Sequence, residues 1–229
     1  MADRPYTLLS CSVSLDGYLG DQTPRLALSN AADFDRVDEL RASCDAIMVG
    51  AETVRTDNPR LLVRSPARRD RRRARGLAPS PMKITVTERV NLDANSNFFT
   101  TGENAKLVYT PSRRVADARA RLGPVAPIGG AGRRVRMRRL SEDLAERGVE
   151  RLMVEGGGIV HTQFLSDDLV DELQLVVAPF FIGDSRAPRF VSDGRFPFNA
   201  GRRATLAEVR QIGDVVLLRY ALSSRFRDD

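Results

Sequence analysis

Residues 151–165 read RLMVEGGGIVHTQFL, and this stretch restricts the fold more than any other part of the chain. Residues 151–154 form a short apolar run that is typical of a strand buried on both faces, and a helical pattern follows from residue 158. Glycines at such a turn let a ligand approach the backbone, and the amides at a helix start suit a phosphate. The turn matches neither the G-x-G-x-x-G fingerprint nor a P-loop, so a tight turn without a ligand remains the alternative.

Glu155 ends this strand at the edge where ligands bind in α/β proteins, which makes it a candidate ligand-binding acid. Its alternative role is a carboxylate stabilised by nearby backbone amides. The chain has a single histidine, His161, so a Ser-His-Asp hydrolase or a histidine-rich metal site is not supported, and we predict no metal. We interpret His161 as a helix-face residue near the ligand or as a structural residue. A cofactor that carries the reaction would explain why so few nucleophiles are present.

Apolar, β-rich runs alternate with helical patterns through most of the chain, at residues 6–13, 45–50, 83–87, 106–110, 151–154 and 173–181. Residues 205–212 and 215–221 are predicted to form a closing hairpin that turns at Gly213-Asp214. We therefore predict an α/β fold with three layers, in which helices cover both faces of a mostly parallel central sheet and the C-terminus forms an antiparallel hairpin. No linker or repeat divides the chain, so residues 1–229 are predicted to be a single domain with a core over about 6–222. Residues 129–132 are predicted to be a loop.

A second site-like stretch, IMVGAETVRTDNPRLLVR, covers residues 47–64. Thr53 and Asp57 are four residues apart and would share one face of a short helix. Together with Arg64, they offer a hydroxyl, a carboxylate and a guanidinium for a sugar and its phosphate, because arginine donates two parallel hydrogen bonds to phosphate. A polar surface turn is the alternative. The segment SVSLDG at residues 12–17 gives a weaker signal of the same kind.

The net charge of +6 is concentrated in one place. Residues 64–75 hold seven arginines and one aspartate, so the rest of the chain is balanced. We predict an arginine-rich surface loop over residues 64–81, which is solvated, attracts an anionic ligand or, as a third possibility, binds nucleic acid. We find no membrane-spanning run and no signal peptide, and we interpret Cys11 and Cys44 as reduced core thiols, so a cytoplasmic protein without a membrane partner is expected.

Taken in order, SVSLDG, LRASCDAIMVGAETVRTDNPRLLVR, RLMVEGGGIVHTQFL and LVDELQLVVAPFFIG resemble the pyrimidine reductase domain of riboflavin biosynthesis over residues 6–220. The resemblance implies a dihydrofolate-reductase-like fold and NADPH-dependent reduction of a phosphorylated ribosylaminopyrimidine by hydride transfer to the ribosyl C1′. It also implies a homodimer with no nucleic-acid partner. The zinc deaminase domain that accompanies many members has no counterpart here, because neither H-x-E nor P-C-x-x-C occurs.

The resemblance also assigns residues. From the contacts that it implies, we hypothesise that Asp57 and Glu155 take part in catalysis. The implied substrate contacts are Arg41, Leu61, Arg64 and Glu155. The implied cofactor contacts are Ser12, Thr53, Asp57, Thr87, Gly156, Gly157, Gly158, Ile159 and Val160. A cis peptide is expected between Gly156 and Gly157, and Arg113, Arg114 or a member of the arginine stretch are the candidates for the 2′-phosphate that distinguishes NADPH from NADH.

Three departures from the family pattern lie near the expected substrate. The chain has no tryptophan, the family's D-D-P reads Asp57-Asn58-Pro59, and the arginine stretch is unusually long and charged. Two alternatives therefore stay open at this point. One is a reductase on the same fold that acts on a pterin, a dihydrofolate-like compound or a secondary-metabolite precursor. The other, more distant alternative is a protein that binds nucleic acid and is not an enzyme.

Overall fold

The computed structural model describes residues 4–21 and 26–228. Its strands are β1 (Tyr6–Val13), β2 (Ala46–Gly50), β3 (Met82–Val86), β4 (Lys106–Thr110), β5 (Ile128–Gly130), β6 (Arg151–Gly156), β7 (Glu172–Val177), β8 (Thr205–Ile212) and β9 (Val215–Ala221). Its helices are α1 (Ala31–Ser43), α2 (Ala51–Asp57), α3 (Pro66–Ala74), α4 (Asn97–Thr100), α5 (Val115–Leu122), α6 (Met137–Glu146) and α7 (Gly158–Ser166), with a 3-10 turn at Ser112–Arg114. In the part of the chain that is described, none of the helices is both long and apolar enough to cross a membrane.

The described chain divides into two compact units, each made of separate stretches of sequence. The first unit contains residues 4–5 and 38–153, and the second contains residues 6–21, 26–37 and 154–228. Helix α1 and strand β6 each begin in one unit and end in the other. The assignment of residues 1–229 to a single domain stays a prediction.

The first unit is built on parallel strands. Strand β3 pairs with β2 on one side and with β4 on the other, and β4 pairs with β5. Every residue of β2 is buried, which is why its sequence AIMVG is apolar without alternation. Met48, Ile84 and Leu140 are fully buried in this unit and supply part of its core.

The second unit combines parallel and antiparallel pairing. Strand β1 runs parallel to β7, β9 pairs antiparallel with β7, and β8 pairs antiparallel with β9. The predicted closing hairpin is confirmed with the same strand limits, and Gly213 in its turn has a φ of 64°. Such a positive φ favours glycine. The parallel strands followed by an antiparallel C-terminus confirm the main feature of the predicted fold class.

The arginine-rich stretch is a helix over Pro66–Ala74, so the prediction of an irregular loop is wrong there. Ser65 caps the helix start by accepting a hydrogen bond from the Arg68 amide at 3.4 Å, and Pro66 occupies the first helical position, which proline favours. Arg72 is only 3% exposed. Its guanidinium donates hydrogen bonds to the carbonyls of Ala42, in the last turn of α1, at 2.9 Å and of Cys44, just beyond α1, at 2.6 Å. The arginine content of this stretch predicted a solvated loop. An arginine can nevertheless be buried when carbonyl oxygens accept its N–H groups, as they do at Arg72.

Two further sequence predictions differ from the structure. Residues 129 and 130 of the predicted glycine loop belong to β5, where a Cβ on Gly129 would lie 2.7 Å from the ring of Tyr109. Glycine is therefore needed there to admit the aromatic ring. The strand predicted over 173–181, with a break at Pro179, begins one residue earlier and ends at Val177, two residues before the proline, which cannot donate to a ladder.

Candidate functional site

The glycine turn after β6 leaves backbone donors at the start of α7. The peptide between Gly156 and Gly157 is cis, which confirms that expectation, and Gly156 has a φ of 150°. Gly157 caps the helix, and its carbonyl accepts hydrogen bonds from the amides of Val160 at 2.9 Å and His161 at 3.1 Å. The amides of Gly158 and Ile159 precede these donors in the first turn, where α-helical N–H groups have no intrahelical acceptor. The side chain of Ile159 is 67% exposed, so this helix start lies at the surface of its unit.

Gly158 is required by a contact within the protein. A Cβ at this position would lie 2.2 Å from the carbonyl oxygen of Arg189. The segment around Arg189 is itself fixed, because the Leu19 amide donates to the Pro188 carbonyl at 2.7 Å and the Phe190 amide donates to the Gly17 carbonyl at 3.0 Å. The sequence interpretation attributed these glycines to close approach of a ligand. At Gly158 the neighbour that excludes a side chain is protein backbone.

His161 is buried inside the second unit. Its ring lies 5.4 Å, between centroids, from the ring of Phe190, and no part of the residue is exposed. Burial lowers the pKa of His161 to about 4, because the charged imidazolium is disfavoured away from water. His161 is therefore neutral at neutral pH, which fits the structural alternative of its interpretation.

The SVSLDG segment stabilises the loop at residues 182–183 through hydrogen bonds to Asp16. Asp16 accepts hydrogen bonds from the Ser14 hydroxyl at 2.5 Å and from the amides of Ile182 at 3.1 Å and Gly183 at 2.8 Å. The Ser14 bond, together with these amides, lowers the pKa of Asp16 to about 2. Ser12 lies earlier, in β1, opposite Val176 of β7. Of the two serines, only Ser12 is left as a candidate for ligand contact.

In the first unit, Thr53 and Asp57 both lie in α2, so their predicted common helix face is present. Asp57 is exposed and accepts a hydrogen bond from the Thr56 hydroxyl at 2.9 Å. Asn58 follows as the helix C-cap with a φ of 44°, in the left-handed region that asparagine tolerates better than most residues. The change from D-D-P to D-N-P therefore places asparagine at a position whose left-handed backbone conformation asparagine adopts readily.

The predicted substrate residues of the first unit lie close together. The guanidinium of Arg41, in α1, donates to the carbonyl of Leu62 at 3.4 Å. Leu61 is 4% exposed and has a φ of 48°. The side chain of Arg64 is 59% exposed, and its Nε lies 3.8 Å from Asp38. The structure thus joins Arg41 to the segment that carries Leu61 and Arg64.

Thr87 follows β3 and is 2% exposed. Its hydroxyl accepts a hydrogen bond from the Val90 amide at 3.0 Å. This bond supports Val90, whose φ of 58° is rare for a β-branched residue. The structure gives Thr87 a role in its own loop, and its assignment as a cofactor contact stays a prediction.

Sequence reasoning missed the residues that hold the Leu61–Arg64 region. Asp38 accepts hydrogen bonds from the amides of Arg64 at 2.6 Å and Ser65 at 3.0 Å, and Ser80 accepts from the Val63 amide at 3.0 Å. The one available signal was the three-residue spacing of Asp38 and Arg41, which places both on one helix face. Within the described ranges, no group of three or more His, Cys, Asp or Glu side chains is arranged to hold a metal ion.

Parallel strands followed by an antiparallel pair, together with a glycine turn that opens a helix, define an α/β protein and agree with the dihydrofolate-reductase-like fold that the resemblance implies. The model of the RibD C-terminal domain matches residues 5–218. The chain belongs to this family, as the resemblance in its sequence indicated.

Two relatives align with this chain over most of their own length. A protein of Archaeoglobus fulgidus named 2,5-diamino-6-ribosylamino-4(3H)-pyrimidinone 5′-phosphate reductase is 34% identical over 226 residues, which cover 97% of this chain and 99% of the relative. A protein of the same name from Methanothermobacter thermautotrophicus is 38% identical over 192 residues, which cover 83% of this chain and 85% of the relative.

Solved structures agree with the fold. A pyrimidine reductase-like protein of Corynebacterium diphtheriae superimposes with a TM-score of 0.81 at 24% identity, over 95% of this chain and 91% of that chain. The riboflavin biosynthesis reductase Rib7 of Saccharomyces cerevisiae superimposes with a TM-score of 0.70 at 20% identity, over 96% of this chain and 90% of that chain. The predicted dihydrofolate-reductase-like fold is thereby confirmed.

Proposed function

We propose that this protein is an NADPH-dependent reductase of 2,5-diamino-6-ribosylamino-4(3H)-pyrimidinone 5′-phosphate. The observation that carries the proposal is the shared name of relatives that match over 83–97% of this chain and 85–99% of their own length. Reduction adds a hydride to the ribosyl C1′ of the opened-sugar imine and a proton to its nitrogen, and the product is a ribitylamino group. When it is bound, NADPH supplies the hydride.

The start of α7 fits a dinucleotide pyrophosphate. It has no side-chain cap, its first amides lack intrahelical acceptors, and the helix dipole adds positive potential there. We propose that Gly156, Gly157, Gly158, Ile159 and Val160 form this pyrophosphate site. Ser12, Thr53, Asp57 and Thr87 remain proposed cofactor contacts from the family pattern.

The proposed preference for NADPH is supported by arginines that follow two neighbouring strands. Strands β3 and β4 are parallel, so their carboxyl ends meet at one edge of the first unit. Arg89 follows β3, and Arg113 and Arg114 follow β4. Arg113 donates to the carbonyl of Arg133 at 2.7 Å, and Arg114 is 48% exposed beside Asp117. We propose Arg114 as the contact to the 2′-phosphate, because its guanidinium is accessible.

For the substrate, we propose that Arg64 binds the phosphate, since its guanidinium is largely exposed and arginine donates two parallel hydrogen bonds to phosphate. Arg41 and Leu61 are proposed to line the same region. Glu155 is proposed to accept hydrogen bonds from the amino groups of the pyrimidine, and Asp57 to orient the cofactor or assist in moving the proton. Holding the two reacting carbons in place supplies the main catalytic effect.

The arginine helix does not favour the nucleic-acid alternative. Arg68 and Arg71 form ion pairs with Glu39, and Arg73 pairs with Asp70. Arg72 is buried. Pairing and burial lower the charge that this stretch offers to a phosphate backbone, so the net charge of the stretch overstates its attraction for nucleic acid.

The proposal is tested by measuring NADPH oxidation with three compounds: the diaminopyrimidinone phosphate, its deaminated uracil counterpart and dihydrofolate. We expect turnover with the first at a kcat/KM at least tenfold above the second, and none with dihydrofolate. A preference for the uracil compound would place the enzyme after the deamination step. Turnover of dihydrofolate alone would contradict the proposal.

The cytoplasmic location of the protein stays a prediction.

We also propose a homodimer that forms through the C-terminal hairpin. Strand β8 lies at the edge of the strand order, and it exposes Leu206 at 50% and Val209 at 59%. Beside it, an apolar cleft of about 260 Å³ is lined by residues that include Phe190, Phe198 and Tyr220. An exposed apolar edge strand is a liability that association with a second chain removes.

A further inference from the structure

The segment between α2 and α3, residues 58–65, has no regular secondary structure. It carries Leu61 and Arg64, the proposed substrate residues. The φ of Leu61 is 48°, in the left-handed region that is disfavoured for a residue with a branched side chain. A backbone in this region persists only when surrounding contacts hold it, so the contacts of this segment determine where Arg64 lies.

Side chains from three places hold the segment. At its beginning, the side-chain amide of Asn97 donates to the Asn58 carbonyl at 3.3 Å, and the backbone amide of Asn97 donates to the Asn58 side-chain oxygen at 2.6 Å. Ser80 accepts from the Val63 amide near the middle, and Asp38 accepts from the amides of Arg64 and Ser65 at its end. Asp38 is 2% exposed, so water does not compete for these bonds.

The Asp38 carboxylate also contacts the side chain of Arg64. One of its oxygens lies 3.8 Å from Nε of Arg64, and the other lies 3.0 Å from the guanidinium of Arg68, in α3. Burial alone would raise the pKa of Asp38, but hydrogen bonds from the Arg64 and Ser65 amides and from Arg68 outweigh it and lower the pKa. The carboxylate is therefore ionised at neutral pH. It accepts a hydrogen bond from the Arg64 amide and lies within ion-pair distance of Nε, while 59% of the side chain stays exposed.

We propose that Asp38 is a positioning residue that sets the affinity for the phosphorylated substrate by fixing the guanidinium of Arg64. This inference rests on the proposed function, in which Arg64 binds the substrate's phosphate. It also gives the arginine stretch a role, because Arg68 stabilises the buried charge of Asp38, and Arg72 ties the same helix to the end of α1. Helix α3 then stabilises residues 58–65, the segment that carries Leu61 and Arg64.

The test uses Asp38→Asn, which keeps the size of the side chain but removes its charge and one of its acceptors. We expect the KM for the pyrimidine phosphate to rise roughly tenfold, while kcat and the KM for NADPH change less than about twofold. Glu39→Gln is the matched control. Glu39 is the next residue on α1 and pairs with Arg68 and Arg71, but the hydrogen bonds from the Arg64 and Ser65 amides go to Asp38. We expect its kinetics to be unchanged.

A double-mutant cycle with Arg64→Ala separates the inference from the proposed function. If Asp38 acts through Arg64, Asp38→Asn raises the KM in the wild-type background and has no further effect when Arg64 is alanine. An unchanged KM in Arg64→Ala alone would remove Arg64 from the phosphate site and overturn both proposals. If Arg64→Ala raises the KM, two results would overturn the role of Asp38 only: no effect of Asp38→Asn in the wild-type background, or an effect of Asp38→Asn that adds fully to that of Arg64→Ala.

The melting temperature of each variant is measured, so that a change in KM is not mistaken for a loss of folded protein. Asp38→Glu serves as the second variant, because it keeps the charge on a longer side chain. We expect it to fold and to recover part of the substrate affinity that Asp38→Asn loses. If neither variant yields folded protein, Asp38 is a structural residue and the proposal is overturned.

Discussion

Glu155 stands at the end of β6, directly before the cis peptide, and is partly exposed. In Glu155→Gln we expect kcat/KM for the pyrimidine phosphate to fall roughly tenfold to a hundredfold, because the amide presents an N–H group where the substrate's amino groups need an acceptor. The melting temperature should change little. Steady-state kinetics checks the prediction, with Glu146→Gln, exposed at the end of α6, as the control. Unchanged turnover in Glu155→Gln would remove this residue from the site.

Arg114 is the residue on which the cofactor preference is proposed to depend. In Arg114→Ala we expect the KM for NADPH to rise about tenfold and the KM for NADH to stay the same, because only NADPH carries the 2′-phosphate. Arg121→Ala, exposed on α5, should change neither value. Equal effects on the two cofactors would show that Arg114 acts on something other than the 2′-phosphate.

His161 links stability to pH. Its pKa is about 4 in the folded protein and about 6.5 in the unfolded chain, so between these values the unfolded chain binds the proton more strongly and stability falls as pH falls. From pH 7 to pH 5 this group should lower the free energy of unfolding by about 2 kcal/mol. Urea unfolding at both pH values checks this against His161→Phe, which does not titrate. The same loss in both proteins would contradict it.

At the scale of single residues, the sequence predicts which residues share a helix face better than it predicts contacts between distant positions. The common helix face of Thr53 and Asp57 follows from local spacing, and the structure has it. The bonds from Asp38 to the amides of Arg64 and Ser65 join residues 26 and 27 positions apart, so no local pattern contains them. A need for glycine at position 158 is visible in the sequence, but the neighbour that the structure places beside it, the Arg189 carbonyl, lies far along the chain.

Helix α3 is the element that composition described least well. In Arg72→Ala we expect the free energy of unfolding to fall by about 2–4 kcal/mol, because the carbonyls of Ala42, Cys44 and Ala78 lose a buried donor. Arg73→Ala is the control, since Arg73 is 58% exposed and pairs with nearby Asp70 in its own helix. Equal stability of the two variants, measured by urea unfolding, would show that the buried bonds of Arg72 contribute little.

Elements were predictable where local pattern and burial agree. The hairpin strands β8 and β9 have the predicted limits, and β2 and β4 lie within a residue of theirs, because turn residues flank apolar runs. Strand β5 was missed because it is three residues long and contains two glycines, whose place beside Tyr109 depends on packing. Helix α3 was missed because repeated arginines conceal the position at which one of them is buried.

At the scale of the whole molecule, the proposed dimer can be tested at β8. Val209→Asp places a charge on the most exposed apolar side chain of that strand. We expect wild-type protein to sediment as a dimer and the variant as a monomer in analytical ultracentrifugation, because a charge at an apolar interface is strongly disfavoured. Arg210→Asp, next along the strand, is the control and should keep the dimer. A monomeric wild-type protein would contradict the proposal.

The class of fold was predictable from the sequence, because alternating strands and helices followed by a hairpin restrict the possible architectures. The division into two compact units was not visible, since each unit is assembled from stretches that are far apart in the sequence. Chain order carries little information about which distant stretches pack together.

The carbonyl of Arg189 beside Gly158 has a consequence for how this enzyme can be redesigned. An alanine at 158 would push residues 188–190 away, and those residues are bonded to Gly17 and Leu19, next to the turn that Asp16 stabilises. Strain introduced at the first residue of α7 would therefore spread to the loop after β1. Protein engineers who wish to alter cofactor use should leave this glycine in place and vary its exposed neighbour Ile159, whose side chain has room to change.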